Sequence, residues 1–156
     1  MKNTVLVTGA SAGLGEEFSW QLGALGYNLL LVARRIDNLA LLKTQLSEKY
    51  PQQEFLICSV DLNDVNAISE IQALIEKQHI QLIGLINNAG FGARGEFCHL
   101  SAVRQQQMLQ VNIVALTELT HHAIDHLNNK KDSFIINVAS TVCFSSGAKS
   151  CYILCF

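Results

Sequence analysis

An apolar run and a glycine-rich turn stand together near the start of the chain: Thr4-Val5-Leu6-Val7-Thr8-Gly9-Ala10-Ser11-Ala12-Gly13-Leu14-Gly15. The run predicts a buried strand, and the pattern of residues 14–25 predicts a helix directly after the turn. The glycines follow the spacing Gly-x-x-x-Gly-x-Gly. Glycine is needed at these positions because a Cβ there would obstruct a ligand or force an unfavourable φ. The first turn of the helix offers free N–H groups to the phosphates of a dinucleotide. A tight turn without any ligand is the alternative interpretation.

Short apolar runs alternate with longer amphipathic stretches along the rest of the chain. Strands separated by helices form right-handed crossovers and a parallel sheet. We therefore predict an α/β fold, a three-layer doubly wound parallel sheet of Rossmann type, in a single domain over residues 1–156. Gly26 is expected to end the first helix. The predicted strands cover residues 4–7, 28–33, 55–60, 82–86 and 133–138, and the predicted helices cover 14–25, 36–49, 65–77 and 101–127.

Composition narrows the classes of function. The 156 residues carry a net charge of −2 without a basic block, so the positive footprint of a nucleic-acid-binding protein is absent. No apolar run approaches the ~20 residues of a membrane-spanning helix, and no signal peptide is recognisable, so we expect a cytoplasmic protein. The five cysteines lack Cys-x-x-Cys spacing, which argues against a disulfide framework or a zinc site. His122 and His126 are four residues apart without a third ligand, so no metal is predicted.

Two arginines, Arg34 and Arg35, follow the second predicted strand. Dehydrogenases that prefer NAD place an acid at this point to bind the ribose 2′-hydroxyl, whereas guanidinium groups suit the 2′-phosphate of NADP. We therefore expect NADP, as NADPH, with NAD less suited. A solvated arginine pair at the start of a helix is the alternative. Asp61, after the third strand, is expected either to accept a hydrogen bond from the adenine or to cap the next helix.

Three further motifs follow in order: Asn87-Asn88-Ala89-Gly90 after the fourth strand, Asn112 in the long helix, and Ser140 at the end of the fifth strand. With the glycine turn, they resemble the short-chain dehydrogenase/reductase family over residues from about 4 to 141. The resemblance implies hydride transfer between a nicotinamide and a small-molecule carbonyl or alcohol substrate, and it allows a homo-oligomer if a full-length form exists. It assigns polarisation of the carbonyl to Ser140 and support of a water relay to Asn112.

We expect a common group of residues around the cofactor. Most of them belong to the glycine turn, the arginine pair and the segment after the fourth strand. The stretch 91–97 is expected either to line the substrate entrance or to be a plain loop. The cofactor residues are Gly9, Ser11, Ala12, Gly13, Leu14, Gly15, Arg34, Arg35, Asp61, Leu62, Asn88, Ala89 and Gly90.

The proton donor of the family, a Tyr with a Lys four residues later, is absent where the resemblance places it. Position 153 is Ile153, Tyr152 lies one residue earlier, and Phe156 stands four residues after that Tyr. Carbonyl reduction needs a proton donor whose pKa lies near the working pH. The chain is therefore expected to be truncated relative to the family, and inactive or impaired. A nucleotide-binding module without catalysis is the alternative function.

The residues after Cys143 break the alternation of strands and helices, so the sheet is expected to be incomplete at its C-terminal side, with a risk of aggregation at the uncovered edge. We hypothesise a change of reading frame in this stretch. The codons of residues 150–156, read one base further on, permit a Tyr-x-x-x-Lys with its Tyr at position 153. The gene sequence tests the hypothesis, because a shifted frame without that motif would exclude it.

Overall fold

The secondary structure follows the predicted alternation. The computed structural model describes residues 3–93, 97–127 and 131–140. Its strands are β1 (Thr4–Thr8), β2 (Asn28–Ala33), β3 (Phe55–Ser59), β4 (Leu82–Asn87) and β5 (Phe134–Asn137). Its helices are α1 (Gly13–Ala24), α2 (Ile36–Lys49), α3 (Ala67–Lys77), α4 (Ala102–Leu109) and α5 (Leu116–Leu127), with a 3₁₀ turn at Phe97–His99 and a π-helical segment at Gln110–Ala115.

The strands form one parallel sheet in the order β3-β2-β1-β4-β5. Val7 of the central strand β1 is paired with Leu31 of β2 on one side and with Ile86 of β4 on the other. The direction in which strands are added reverses between β1 and β4. The carboxyl ends of these two strands therefore border the crevice in which open α/β sheets bind their ligands. The predicted doubly wound parallel sheet is confirmed.

Helices cover both faces of the sheet, which explains why the strands are almost continuously apolar. Successive residues of β1 point to opposite faces. Val5 and Val7 belong to the core formed with α1 and α2, whereas Leu6 belongs to the core formed with α3 and α5. All five residues of β1 are buried. The predicted three layers are confirmed.

The end of α1 agrees with its sequence. Gly26 has a φ of +88°, and its N–H donates to the O of Gly23. The N–H of Tyr27 donates to the O of Leu22 at 3.1 Å. These two bonds form a Schellman motif, whose left-handed residue is usually a glycine. The predicted role of Gly26 is confirmed, and the motif directs the chain into β2.

α3 begins at Ala67, two residues later than predicted. The preceding residues form side-chain turns instead of a helix. Oδ1 of Asp61 accepts from the N–H of Asn63 at 3.0 Å, and Oδ1 of Asp64 accepts from the N–H of Asn66 at 2.9 Å. Such local bonds compete with helical hydrogen bonding. The alternative in which Asp61 caps the next helix is therefore wrong.

The long helix predicted over residues 101–127 is divided by the π-helical segment. α4 is capped by Ser101, whose side-chain oxygen accepts from the N–H of Arg104. The π-helical segment follows α4 directly and leads into α5. A π turn inserts an extra residue into the helix, and such turns are frequent at functional sites. The apolar pattern did not indicate it.

Every helix in residues 3–93, 97–127 and 131–140 is too short or too polar to cross a membrane. Part of the predicted entrance loop, at residues 94–96, lies outside the described residues. Residues 141–156 also lie outside them. The predictions made for Tyr152, Ile153 and Phe156, and the hypothesis of a changed reading frame, therefore concern residues whose structure is not described.

Candidate functional site

Thr8 joins the end of β1 to the chain after β4. Its buried Oγ1 donates to the O of Ile86 at 3.3 Å, and accepts from the N–H groups of Asn88 at 3.0 Å and Ala89 at 2.9 Å. A hydroxyl has one donor and two lone pairs, so the full hydrogen-bonding capacity of Thr8 is used. The Asn-Asn-Ala-Gly segment is thereby fixed against the glycine turn. The sequence reasoning missed Thr8, although its place directly before the first glycine was a usable signal.

Two of the three turn glycines allow close packing inside the protein. The side-chain Nδ2 of Asn88 donates to the O of Thr8 at 3.0 Å and lies near the O of Gly9. A Cβ on Gly9 would lie 2.8 Å from this Nδ2. A Cβ on Gly15 would lie 2.5 Å from it and even closer to the O of Gly9. Gly9 and Gly15 are therefore required by contacts within the chain itself.

Gly13 differs from the other two. It has a φ of +59°, and a Cβ added to it would meet no atom within 4 Å. Gly13 is also the first residue of α1, and Ala12, at the N-cap, supplies no side-chain acceptor. The first N–H groups of a helix have no partner within the helix and carry partial positive charge. Open space and available donors therefore coincide at the start of α1.

Arg35 is held against the glycine turn. Its Nε and Nη2 lie 3.3 and 3.1 Å from Oγ of Ser11. The O of Ser11 accepts from Nη2 of Arg35 at 3.4 Å and from Nδ2 of Asn38 at 3.2 Å. The residues directly after β2 are thus bound to the residues directly after β1, and a guanidinium is positioned beside the turn.

Arg34 points toward the end of β3, the strand on the other side of β2 from β1. Its Nη1 lies 3.6 Å from Oδ2 of Asp61, and the two side chains are 67% and 46% exposed. An exposed ion pair of this kind contributes little to stability. Arg34 can therefore exchange Asp61 for a ligand at a small cost in free energy. A buried arginine separated from its partner would pay a much larger cost.

These segments enclose one cavity of about 400 Å³. All the predicted cofactor residues except Gly13 and Gly15 line it. Its lining also includes the apolar residues Val60 and Val111 and, from α4, Arg104 and Gln107. The predicted residues in its lining are Gly9, Ser11, Ala12, Leu14, Arg34, Arg35, Asp61, Leu62, Asn88, Ala89 and Gly90.

Asn112, in the π-helical segment, is buried and binds the backbone of Phe91. Its Oδ1 accepts from the N–H of Phe91 at 3.1 Å, and its Nδ2 donates to the O of Phe91 at 2.9 Å. The amide thus pairs with Phe91 as a neighbouring strand would. The structure shows that Asn112 positions the chain after Gly90, and its predicted part in a water relay stays a prediction.

Phe91 in turn carries the guanidinium of Arg104. The Cζ of Arg104 lies 4.0 Å from the centroid of the Phe91 ring, and both residues line the cavity. This is the geometry of a cation–π contact. Sequence reasoning missed Arg104, because nothing in the pattern of α4 relates it to the loop ten and more residues earlier.

Ser140 follows β5, which side-chain amides connect to β4. Nδ2 of Asn87 donates to Oδ1 of Asn137 at 2.9 Å and to Oγ1 of Thr120 at 3.0 Å. Ser140 is half-buried, and neither it nor Asn112 lines the described cavity. The structure therefore brings eleven of the thirteen predicted cofactor residues together in one lining, and the two predicted catalytic residues lie outside it.

Within residues 3–93, 97–127 and 131–140, the other reactive side chains form no second candidate centre. Burial of Cys58, helped by the nearby carboxylate of Glu70, raises the pKa of its thiol to about 11, so it is protonated at neutral pH and a poor nucleophile. His121 and His122 form an edge-to-face ring contact on α5. No three potential metal ligands of the types His, Cys, Asp and Glu cluster anywhere in the described part of the chain.

Comparison with known proteins relates this arrangement to one family. The sequence profile of the short chain dehydrogenases matches residues 3–152. Human dehydrogenase/reductase SDR family member 7 is 29% identical over 138 residues, which cover 87% of this chain and 41% of that protein. The NADP-dependent 3-hydroxy acid dehydrogenase of Salmonella typhi is 30% identical over 138 residues, which cover 88% of this chain and 54% of that protein.

A solved structure gives the same result. A short-chain dehydrogenase from Sphingobium yanoikuyae, in complex with NADPH, superposes with a TM-score of 0.83 at 27% identity, covering 91% of this chain and 55% of that one. The chain thus spans about half the length of the relatives it matches. Since the family profile matches nearly all of its residues, the chain belongs to the short-chain dehydrogenase/reductase family.

Proposed function

We propose that these residues form the NADP-binding part of an oxidoreductase that transfers hydride between the nicotinamide and a small carbonyl or alcohol substrate. The observation that carries the proposal is the position of Arg35, which Ser11 holds beside the glycine turn while Arg34 lies next to it. β2 ends at Ala33, and Arg34 and Arg35 follow it, without a carboxylate to accept from a ribose 2′-hydroxyl. Two guanidinium groups at this point suit a 2′-phosphate.

Features in the cavity and beside it also fit a dinucleotide. The start of α1, with Gly13 facing open space, suits the pyrophosphate. The apolar side chains Val60, Leu62 and Val111 offer a surface for the base. The relative from Salmonella typhi is named for NADP, and the Sphingobium yanoikuyae enzyme was solved with NADPH. Both support the choice of NADP over NAD.

The chemistry divides between the cofactor and this chain. When bound, the nicotinamide gives or takes the hydride. By family resemblance, Ser140 donates a hydrogen bond to the substrate oxygen and polarises the carbonyl. Asn112 holds Phe91, and with it the chain after Gly90, in place. The 156 residues contain no Tyr-x-x-x-Lys, so we propose that on their own they bind NADPH and reduce carbonyls slowly or not at all.

A nucleotide-binding module without catalysis is the second candidate. It is favoured by one observation, that Ser140 and Asn112 do not line the cavity formed by the predicted cofactor residues. The two candidates share the cofactor and differ in turnover.

Calorimetric titration of the 156-residue protein tests the proposal. We expect NADPH to bind at least tenfold more tightly than NADH, and Arg34→Ala to weaken NADPH binding about tenfold with little effect on NADH. Arg35→Ala is the less clean variant, because it also releases Ser11. Lys77→Ala is the matched control: it removes one positive charge from the last turn of α3, and should change neither affinity.

A folded protein with no affinity for either nucleotide would refute the proposal, and tighter binding of NADH would refute the choice of cofactor. NADPH consumption with a panel of aldehydes and ketones separates the two candidates. Turnover by the 156 residues would contradict the expected inactivity. Binding without turnover is the expected result, and restoration of turnover by a longer chain carrying Tyr-x-x-x-Lys would exclude the non-catalytic module.

A further inference from the structure

Arg104 is a charged cavity residue that neither the glycine turn nor the family motifs explain. It is the third guanidinium of the cavity lining, with Arg34 and Arg35. Arg34 is paired with Asp61 and Arg35 is bound to Ser11. Within the described residues, no side chain forms a hydrogen bond or an ion pair with the guanidinium of Arg104, whose contact is the ring of Phe91.

The Phe91 ring that supports Arg104 is firmly placed. Asn112 binds both backbone polar groups of Phe91, and the Phe91 side chain packs against the core under α3 and α5. A guanidinium is planar, so a ring 4.0 Å from its centre covers one face and leaves the opposite face for another flat group. Part of the entropy of ordering this long side chain is therefore lost before a ligand arrives.

The apolar part of the cavity lining indicates what that flat group is. Val60, Leu62 and Val111 line the same cavity, and each is at most 8% exposed. An apolar wall suits an aromatic base better than a phosphate. The groups suited to phosphate, namely the start of α1, Arg34 and Arg35, belong to other segments of the lining.

We infer that Arg104, held flat on Phe91, stacks on the adenine ring of the bound dinucleotide and is a determinant of its affinity. This inference rests on the proposed function, because it takes the ligand to be an adenine dinucleotide. It adds a residue outside the motifs that predicted the cofactor site. Stacking acts through the plane of the side chain, whereas a phosphate contact would act through its charge.

Binding of NADPH, NADH and 2′,5′-ADP to the wild type, Arg104→Ala, Arg104→Gln and Arg104→Lys tests the inference. Stacking predicts that Arg104→Ala weakens all three ligands by the same factor, about tenfold, because all three contain adenosine. The factor should be similar at 50 and 300 mM salt, since salt screens contacts between exposed charges. Gln keeps a planar group without charge, and should retain more affinity than Lys, which keeps charge without the plane.

Several results would overturn the inference. A loss confined to NADPH and 2′,5′-ADP would indicate a contact with the 2′-phosphate. A loss that disappears at high salt, or that Lys restores and Gln does not, would indicate another phosphate contact. Unchanged affinity of Arg104→Ala, with a wild type that binds NADPH, would overturn this inference alone. A folded wild type that binds none of the three ligands would overturn the proposed function as well.

Phe91→Leu provides an independent variant. It removes the aromatic ring and keeps an apolar side chain against the core. We expect it to weaken all three ligands about threefold to tenfold, and to add little to the effect of Arg104→Ala in the double variant, because the two residues act as a unit. Fully additive effects would contradict the stacked arrangement.

Discussion

β1 and β5 flank the same strand, β4, yet they differ in almost every respect that matters for a binding site. All five residues of β1 are buried, whereas β5 is half-buried at Phe134 and Ile135 and exposed at Ile136 and Asn137. β1 has a parallel neighbour on each side, and β5 has β4 on one side within the described sheet. The glycine turn after β1 therefore extends from the most constrained strand, and Ser140 follows one of the least constrained.

Side-chain hydrogen bonds reinforce the difference. At the end of β1, Thr8 uses one donor and two lone pairs to fix the chain after β4. At the end of β5, one hydrogen bond between the side-chain amides of Asn87 and Asn137 connects the strand to β4. Binding geometry is thus built into the centre of the sheet. The position of Ser140 depends on an edge whose local stability is expected to be lower.

The largest effect is expected for Gly15→Ala, with Gly13→Ala as its counterpart. A Cβ on Gly15 would overlap the O of Gly9, a backbone atom that cannot move independently. We expect Gly15→Ala to lower the free energy of unfolding by about 3 kcal/mol and to abolish NADPH binding. A Cβ on Gly13 would meet no protein atom, so only the positive φ is penalised, by about 1 kcal/mol.

The two glycine variants should therefore separate stability from binding. Denaturant titration measures the first, and calorimetry with NADPH measures the second. Gly13→Ala should remain folded and still lose at least tenfold in affinity, because its methyl group would occupy the open space at the start of α1. A Gly15→Ala protein as stable as the wild type would contradict the packing role assigned to this glycine.

Thr8→Val is expected to have the second largest effect. Valine keeps the shape but leaves the half-buried N–H groups of Asn88 and Ala89 without their acceptor, and each such unpaired group costs about 1 kcal/mol, the low end for an unsatisfied donor. We expect a loss of about 2 kcal/mol in unfolding free energy and weaker NADPH binding. Thr8→Ser keeps the hydroxyl, and should lose less than half as much. Equal losses for Val and Ser would show that the methyl group of Thr8 contributes as much to stability as its hydrogen bonds, against the role assigned to the hydroxyl.

The same contrast explains what the sequence could predict. The boundaries of β2 and α2 are as predicted, because an unbroken apolar run and a periodic helix carry their own signals. The glycine pattern likewise carries its own signal, and it predicted the segment after β1 that lines the cavity. Thr8 and Arg104 were missed, because their partners Asn88 and Phe91 are distant in the chain. The π-helical segment was missed, because the apolar pattern of residues 101–127 does not indicate it. The start of α3 was predicted two residues too early, at Val65, because the side-chain turns of Asp61 and Asp64 take the place of its first residues.

The smallest effect, and the one that tests the edge strand directly, is expected for Asn137→Ala. Removal of this amide deletes the bond from Asn87 that ties the end of β5 to β4, while the backbone pairing of Ile135 with Leu85 remains. We expect the unfolding free energy to fall by about 1 kcal/mol. Amide hydrogen exchange should accelerate in β5 and stay unchanged in β1, because local opening of an edge strand does not require the centre to open.

Thr120→Val is the matched control for Asn137→Ala. It deletes the hydrogen bond that Nδ2 of Asn87 donates to Thr120 on α5, and leaves the hydrogen bond to Asn137 in place. A similar loss of unfolding free energy without faster exchange in β5 is expected for this variant. If both variants accelerated exchange in β5 equally, Asn87 would act as one support shared by the helix and the strand. If neither did, the backbone pairing with β4 alone would hold β5, and the position of Ser140 would be as well fixed as the glycine turn.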